Sequence, residues 1–243
     1  MFTALDRQRV SDRLIARAEA DPRIVAAAVV GSLAHGPGDA WSDIDLALGV
    51  AEDVPLPVVM AEWTQQLAQE FAALQLLDLR ARGAIYRVFL LPSGLQIDLS
   101  FWPATDLKQV SPRFRLVFGT HTTGTPPPPD PRDLLGWAVL YALSARTCIR
   151  RARYWQAAHC IAALREKTMA LACVRLKLPA EFGKGLDDLP PEILRASREA
   201  LVAAPEPAEL ERALHAAVVS LVRESQQVGE FGRQVQAHLE RLL

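Results

Sequence analysis

The chain has 243 residues, enough for one large domain or two of modest size. Half of the residues are hydrophobic, which supplies apolar side chains for a sizeable core, and the formal net charge is −1. This balanced charge disfavours a nucleic-acid partner, because binding to phosphate backbones relies on an excess of lysine and arginine. The three cysteines, Cys148, Cys160 and Cys173, lack zinc-site spacing and lie among apolar residues, which favours free thiols in a reducing compartment.

The N-terminus and the apolar runs indicate where the protein works. Asp6, Arg7 and Arg9 introduce charge too early for a secretory signal peptide. The longest uncharged apolar run, residues 134–145, is too short to span a bilayer. We therefore expect a cytoplasmic protein without a membrane partner.

Helices and strands alternate in the predicted first half of the chain. Apolar residues at helical spacing, with charges between them, predict a surface helix that leads into the first strand. Continuous or alternating apolar runs bounded by glycine and proline predict the strands. The predicted helices cover residues 4–20 and 57–78, and the predicted strands cover residues 24–30, 43–50, 84–91 and 95–102.

The segment 126–131 contains five prolines in six residues and is the clearest domain boundary in the chain. It predicts a first domain over 1–125, a stiff linker over 126–131 and a second domain over 132–243. The pattern of the second half is helical throughout. Its predicted helices lie near 131–152, 154–178, 190–203 and 206–241. The expected fold class is therefore an α/β (α+β) domain with a small mixed sheet, followed by an all-α helical bundle.

Three aspartates in the first half predict a metal site. Asp43 and Asp45 lie two residues apart at the start of a strand, so their side chains project from the same face. Neighbouring carboxylates repel unless a cation lies between them, and such an oxygen-only pair suits a hard metal such as Mg²⁺. Asp98 lies in the middle of an apolar strand, where its charge is unfavourable unless a bound metal offsets it.

Gly31 and Ser32 directly follow the first buried strand and are the candidate phosphate-binding residues. A strand-to-helix turn of this kind presents backbone N–H groups and a hydroxyl to phosphate. Ser42, immediately before the first aspartate, is a further nucleotide-binding candidate, with structural positioning of the loop as the equally weighted alternative.

The order of these elements resembles a known signature. Gly31-Ser32, a ten-residue spacer, Asp43-x-Asp45 and a distant Asp98 on a later strand are similar to the motif of the DNA-polymerase-β-like nucleotidyltransferase superfamily. Within it the chain most resembles the small-molecule branch, the aminoglycoside and lincosamide nucleotidyltransferases, which pair a catalytic α/β domain with a helical domain. The motif spans residues 24–102. The second half of the chain is similar to these proteins only in being helical.

The resemblance implies an enzyme that moves a nucleoside monophosphate, AMP from ATP, to a hydroxyl of a small molecule and releases pyrophosphate. An aminoglycoside-like antibiotic is the implied kind of acceptor. Asp43 and Asp45 would bridge two Mg²⁺ ions, and Asp98 would bind the ion nearer the acceptor hydroxyl and help to deprotonate that hydroxyl. Gly31 and Ser32 would hold the β- and γ-phosphates of ATP or another nucleoside triphosphate.

The helical half supplies three weaker site candidates. Arg165, Glu166 and Lys167 are consecutive and sweep about 200° of a helix, so at least one should reach an interface or cleft. Arg165, or Lys184 from a glycine-flanked loop, would neutralise pyrophosphate. Glu166 would act as an acceptor-side base, as a carboxylate does in some relatives.

Two other functions remain open for the sequence alone. An antitoxin-type nucleotidyltransferase would modify a protein or an RNA-related partner. Arg153 and His159 have the spacing of a motif in helical ribonucleases, although a histidine of the helix bundle is the favoured explanation of His159. A non-catalytic protein that senses nucleotides is disfavoured because all three aspartates are present. The chain is expected to work as a monomer or a homodimer, and no residue pattern identifies the acceptor.

Overall fold

A computed structural model describes residues 2–36, 38–124 and 127–239. The chain divides into two compact units, Met1–Pro126 and Pro127–Leu243. The predicted fold class is confirmed, since strands occur in the first unit and the second unit is helical. Pro126, the first residue of the predicted linker, lies outside the described residues, as do the last two residues of the helix predicted over 206–241.

The first unit contains a six-stranded mixed sheet in the order β3-β4-β5-β2-β1-β7. The β2–β5 pair is parallel, and every other pair in this sheet is antiparallel. Two further short strands, β6 and β8, pair with each other. The elements are α1 (Ala4–Ala20), β1 (Ile24–Val30), β2 (Ile44–Val50), α2 (Leu56–Phe71), β3 (Leu74–Ala81), β4 (Ala84–Leu90), β5 (Gln96–Pro103), β6 (Lys108–Gln109), β7 (Phe114–Phe118) and β8 (Thr122–Thr123).

Alternation along the strands gives the sheet two differently covered faces. Ala27, Val29 and Leu46 belong to a buried cluster that also contains Trp63 and other residues of α1 and α2. Their neighbours on the opposite face, such as Ala28, pack in a smaller cluster with residues from the segment between β5 and β7. The helices therefore cover one face, and the second face is partly covered by chain that follows β5.

The helix predicted over 57–78 is wrong in its last part. α2 ends at Phe71, and Ala72 takes a left-handed conformation with φ 51°. Residues 74–81 form a strand that pairs with β4. Apolar residues at 67, 71 and 74 continue a helical spacing, but backbone pairing with β4 outweighs that pattern, so β3 was missed by sequence reasoning.

The second unit consists of five helices and a short 3₁₀ turn among the described residues. Its core is built mainly from α3, α4 and α6, and α4 packs against both of the others. Asp130 caps the first helix by accepting a hydrogen bond from Arg132 N, so the predicted linker runs directly into helix at Pro131. The helices are α3 (Pro131–Arg150), α4 (Tyr154–Arg175), α5 (Pro191–Glu199), α6 (Pro207–Ser225) and α7 (Gly229–Leu239).

The single helix predicted over 206–241 is two helices. α6 ends at Ser225, and Gly229 at the start of α7 has φ +60°. A Cβ atom at Gly232 would lie 1.8 Å from the Ser225 carbonyl oxygen, so glycine is required for α7 to approach the end of α6. None of the described helices combines the length and apolar character needed to cross a bilayer.

Candidate active site

The structure brings together the three aspartates that the sequence singled out. β2 and β5 are parallel neighbours, and Asp45 lies directly opposite Asp98 in their register. Asp43 precedes β2 by one residue. One carboxylate oxygen from each of the three residues lies within 4.8 Å of the other two, and all three side chains are half-buried. Within the described residues no other group of three aspartate, glutamate, histidine or cysteine side chains meets this spacing.

The position of this acidic cluster follows from strand alternation. Asp45 shares its face of the sheet with Ala47, which packs in the smaller cluster on the face that α1 and α2 leave free. Ile44 and Leu46 point to the opposite face and are fully buried against the helices. The apolar residues therefore anchor β2 in the core and hold the carboxylates at the partly covered face.

The electrostatics of the cluster are unfavourable without a cation. Burial raises the pKa of Asp98, and the nearby negative charge of Asp43 raises the pKa further. Gln96 opposes this effect, because its Nε2 donates to both carboxylate oxygens of Asp98, at 3.0 and 3.1 Å. Hard oxygen donors that crowd and repel one another in this way fit a divalent ion such as Mg²⁺.

Gly31 and Ser32 lie beside the acidic cluster in a 3₁₀ turn, Gly31–Leu33, that directly follows β1. Gly31 has φ +69°, and a Cβ atom there would lie 2.1 Å from Asp45 Oδ2. Only glycine therefore allows the turn to approach the carboxylate this closely. The Ser32 hydroxyl is buried and has no hydrogen-bond partner among the described residues. Its phosphate-binding role stays a prediction.

Residues before and within β7 hold this turn in place. The Gly31 backbone N–H donates to the Arg113 carbonyl oxygen at 3.1 Å. His35 Nε2 lies 2.7 Å from the Pro112 carbonyl oxygen, and Arg115 Nε donates to the Ala34 carbonyl oxygen at 3.2 Å. Because its N–H is engaged, Gly31 contributes space for close approach rather than a free hydrogen-bond donor.

Ser42 is buried in the loop that leads to the acidic cluster. Its hydroxyl donates to Asp39 Oδ1 at 3.1 Å and accepts from Asp39 N at 3.0 Å. Arg7 is only 3% exposed, and its Nη1 donates to the carbonyl oxygens of Asp39 and Ser42. These contacts fix the loop immediately before Asp43, and a nucleotide-binding role for Ser42 stays a prediction.

Arg7 and Gln96 are site residues that sequence reasoning missed. Gln96 lies two residues before Asp98 on the same face of the strand, so strand alternation predicts that the two side chains are close together. Arg7 lies on an amphipathic helix far from the motif in sequence, and no local pattern distinguishes it from the exposed Arg9.

The candidates from the helical half lie in the second unit. Glu166 is an exposed residue of α4, and its carboxylate pairs with Lys167 Nζ at 2.9 Å. Arg165 is half-buried on the same helix. Lys184 is exposed and follows the 3₁₀ turn Glu181–Gly183. The predicted roles of Glu166, Arg165 and Lys184 stay predictions.

Comparison with known proteins gives matches to solved structures alone. No family model matches the chain, and neither does any curated protein. Thirteen chains of solved structures match it. An aminoglycoside 6-adenyltransferase from Bacillus subtilis is 11% identical, with a TM-score of 0.42, and the match covers 100% of this chain and 99% of that chain.

A nucleotidyltransferase-like protein from Exiguobacterium sibiricum is also similar. It is 11% identical, with a TM-score of 0.46, and the match covers 95% of this chain and 79% of that chain. Both proteins are of the kind that the motif resembles. Since both TM-scores are below 0.5, we infer the function of the chain from its acidic cluster and from the Gly31 turn.

Proposed function

We propose that this protein is a metal-dependent nucleotidyltransferase that moves a nucleoside monophosphate to a hydroxyl of a small molecule and releases pyrophosphate. The proposed donor is ATP, and the proposed kind of acceptor is an aminoglycoside-like compound. The observation that carries the proposal is the convergence of Asp43, Asp45 and Asp98 within 4.8 Å. The buried hydroxyl of Ser32 beside this cluster supports it, because the part of the chain that the structure describes gives this hydroxyl no hydrogen-bond partner.

The donor set fits Mg²⁺. Three half-buried carboxylates supply only hard oxygen ligands, and their mutual repulsion favours binding of divalent ions. When the ions bind, Asp43 and Asp45 would hold both of them, and Asp98 would hold one. When bound, the ions would neutralise phosphate charge and align the attacking and leaving oxygens.

The residues around the cluster have distinct proposed tasks. The Ser32 hydroxyl donates a hydrogen bond to the terminal phosphates, which can lie close because Gly31 has no side chain. The acceptor oxygen forms the new bond to the α-phosphorus while the bond from that phosphorus to the pyrophosphate oxygen breaks. Asp98 takes the proton of the acceptor hydroxyl, and Gln96 orients the Asp98 carboxylate.

The second unit contributes three residues to the proposal. Glu166 is the proposed second carboxylate on the acceptor side, where it assists removal of the proton. Arg165 and Lys184 are the proposed cations that neutralise the departing pyrophosphate. Removing one of these charges should slow turnover without changing the binding of metal to the aspartate cluster, which separates their role from that of Asp43.

Purified protein incubated with Mg²⁺, labelled ATP or GTP, and a panel of aminoglycosides, lincosamides and polyols tests the proposal. We expect pyrophosphate release and label on at least one acceptor. Asp43→Asn should abolish both, whereas Asp53→Asn, which changes an exposed aspartate outside the cluster, should leave both intact. Label on a protein would favour the antitoxin-type function, and metal-dependent ATP binding without turnover on any acceptor would overturn the enzymatic proposal.

A further inference from the structure

The outer edge of the six-stranded sheet is unusually exposed. β3 forms this edge, and all eight of its residues are exposed. Leu77 and Leu79 keep 46% and 55% of their surface accessible. At the opposite edge, β7 has one exposed residue, and its other residues are buried or half-buried. β3 is therefore the edge on which another strand can add.

Over residues 77–81, β3 has no proline, no lysine and no register irregularity, three features by which natural edge strands block such pairing. Residues 74–81 contain no proline and no lysine. The irregularity in the β3–β4 register falls between Gln75 and Leu77, so residues 77–81 form a regular strand. On the outer side of a regular edge strand, backbone N–H and C=O groups remain available to a further strand.

Within residues 77–81, the charged residues of β3 lie on one face of the sheet and the leucines on the other. Asp78 lies opposite Arg87 in the β4 register and forms an ion pair with it at 2.7 Å, and Arg87 also donates to Thr64 Oγ1 of α2. Arg80 shares the face of Asp78, because it lies two residues further along the strand. Leu77 and Leu79 lie opposite Val88 and Tyr86 on the other face.

We propose that β3 pairs with β3 of a second copy of this chain, antiparallel and two-fold symmetric about Leu79. In this register Asp78 faces the partner's Arg80, and symmetry creates the same pair a second time. On the other face Leu79 meets its own copy and Leu77 meets the partner's Ala81. The contact joins two six-stranded sheets into one continuous sheet.

The charges select this register over its neighbours. Pairing centred on Asp78 would place Asp78 opposite its own copy, and pairing centred on Arg80 would place Arg80 opposite its own copy. Like charges directly opposite each other destabilise a sheet. Pairing centred on Leu77 would leave Asp78 opposite Leu76. Because the charge pattern is complementary to itself, a second copy of the chain is the occupant that fits this edge.

Light scattering on the full chain over a range of concentrations tests the pairing. We expect the mass to rise to twice the 26.7 kDa of one chain. Arg80→Glu would place like charges opposite each other in both pairs and should weaken the dimer about tenfold or more, from two like-charge pairs. Arg82→Glu makes the same charge change in the β3–β4 turn, outside residues 77–81, and should leave the dimer intact.

Disulfide trapping tests the register independently. Position 79 faces its own copy at the spacing of directly opposed strand residues, which is compatible with a disulfide. Leu79→Cys should therefore oxidise to a covalent dimer, and Leu74→Cys, equally on the surface but outside the paired segment, should not. The native cysteines are buried and should not interfere. A monomeric mass at every concentration, equal effects of the two arginine substitutions, or equal trapping at 74 and 79 would each overturn the proposal.

Discussion

Gly31 and Asp45 approach each other so closely that a single Cβ atom would not fit between them. That atom would lie 2.1 Å from Asp45 Oδ2, and the φ of +69° at Gly31 is unfavourable for other residues. We expect Gly31→Ala to destabilise the protein by about 1–3 kcal/mol and to displace the Asp45 carboxylate. Urea denaturation and Mg²⁺-dependent thermal shifts measure the two effects.

Gly36→Ala is the matched control for this change. A Cβ atom at Gly36 would meet nothing within 4 Å, and this glycine has no positive φ. The Gly36→Ala variant should therefore retain wild-type stability and the wild-type response to Mg²⁺. Equal behaviour of the two alanine variants would contradict the close-approach role of Gly31.

Asp98→Asn should separate stability from activity. Because the folded state raises the pKa of Asp98, the folded protein holds that proton more tightly than the unfolded chain, and the contribution of Asp98 to stability falls as pH rises through the raised pKa. In EDTA at pH 7 we expect Asp98→Asn to melt at a higher temperature than wild type. The difference should shrink as the pH is lowered and wild-type Asp98 becomes protonated.

The enzymatic activity of Asp98→Asn should fall, whereas its metal-free stability should rise. Loss of a proton acceptor at the reacting hydroxyl should lower turnover by about 10²-fold or more. Mg²⁺ should raise the melting temperature of wild type more than that of Asp98→Asn, since the variant has lost a ligand. A variant that is less stable than wild type in EDTA would contradict the electrostatic interpretation of the cluster.

Arg7→Ala should loosen the loop that positions Asp43. The buried guanidinium donates to the carbonyl oxygens of Asp39 and Ser42, and both acceptors would lose a charged donor. We expect a loss of about 2–3 kcal/mol in the free energy of unfolding, measured by urea denaturation. Arg9→Ala, at an exposed position on the same helix, should change the stability by less than about 0.5 kcal/mol.

Ser32→Ala and Ser100→Ala should differ in their effects on stability. The Ser32 hydroxyl has no partner among the described residues, so its removal should leave stability unchanged or slightly higher. It should lower kcat/KM for ATP about tenfold, through loss of one hydrogen bond to phosphate. Steady-state kinetics of both variants measures the effect on kcat/KM, and thermal melting of both variants measures the effect on stability.

The contrast depends on the partners of Ser100. Its hydroxyl donates to the Leu46 carbonyl oxygen at 3.3 Å and accepts from Trp102 Nε1 at 3.0 Å, in the core beneath the cluster. Ser100→Ala should therefore lower the free energy of unfolding by about 1–3 kcal/mol, because a buried indole N–H would lose its acceptor. Destabilisation by Ser32→Ala of the same size would show that its hydroxyl serves the fold instead of a ligand.

Local patterns in the sequence were sufficient to locate the three aspartates and the Gly31 turn. Alternation places Asp43 and Asp45 on one face of their strand. Asp98 was located by its unfavourable charge in an apolar strand, and its position opposite Asp45 comes from the parallel pairing of β2 and β5. β3 was not predictable in the same way, because its leucines continue the spacing of α2 and its strand state depends on pairing with β4. Burial of Arg7 depends on a loop more than 30 residues away, which leaves no local signal.

The end of α6 illustrates a different limit. Apolar residues on both sides of Gly229 continue a helical spacing, and a glycine within such a spacing is tolerated in many helices. The break follows from the close approach of Gly232 to Ser225, a contact between two helices that periodicity does not encode.

The bonds that hold the Gly31 turn also set the order in which the site can form during synthesis. His35 contacts Pro112, and Arg115 contacts Ala34, across separations of 77 and 81 residues. The turn emerges from the ribosome with β1. Residues 112–115, which contact the turn, emerge only after β2, β4 and β5 have been synthesised. Contacts this distant in sequence form slowly, because a long loop must close first. A ribosome-bound chain that stops before β7 should therefore hold its aspartates on adjacent strands before the Gly31 turn has formed its contacts with residues 112–115.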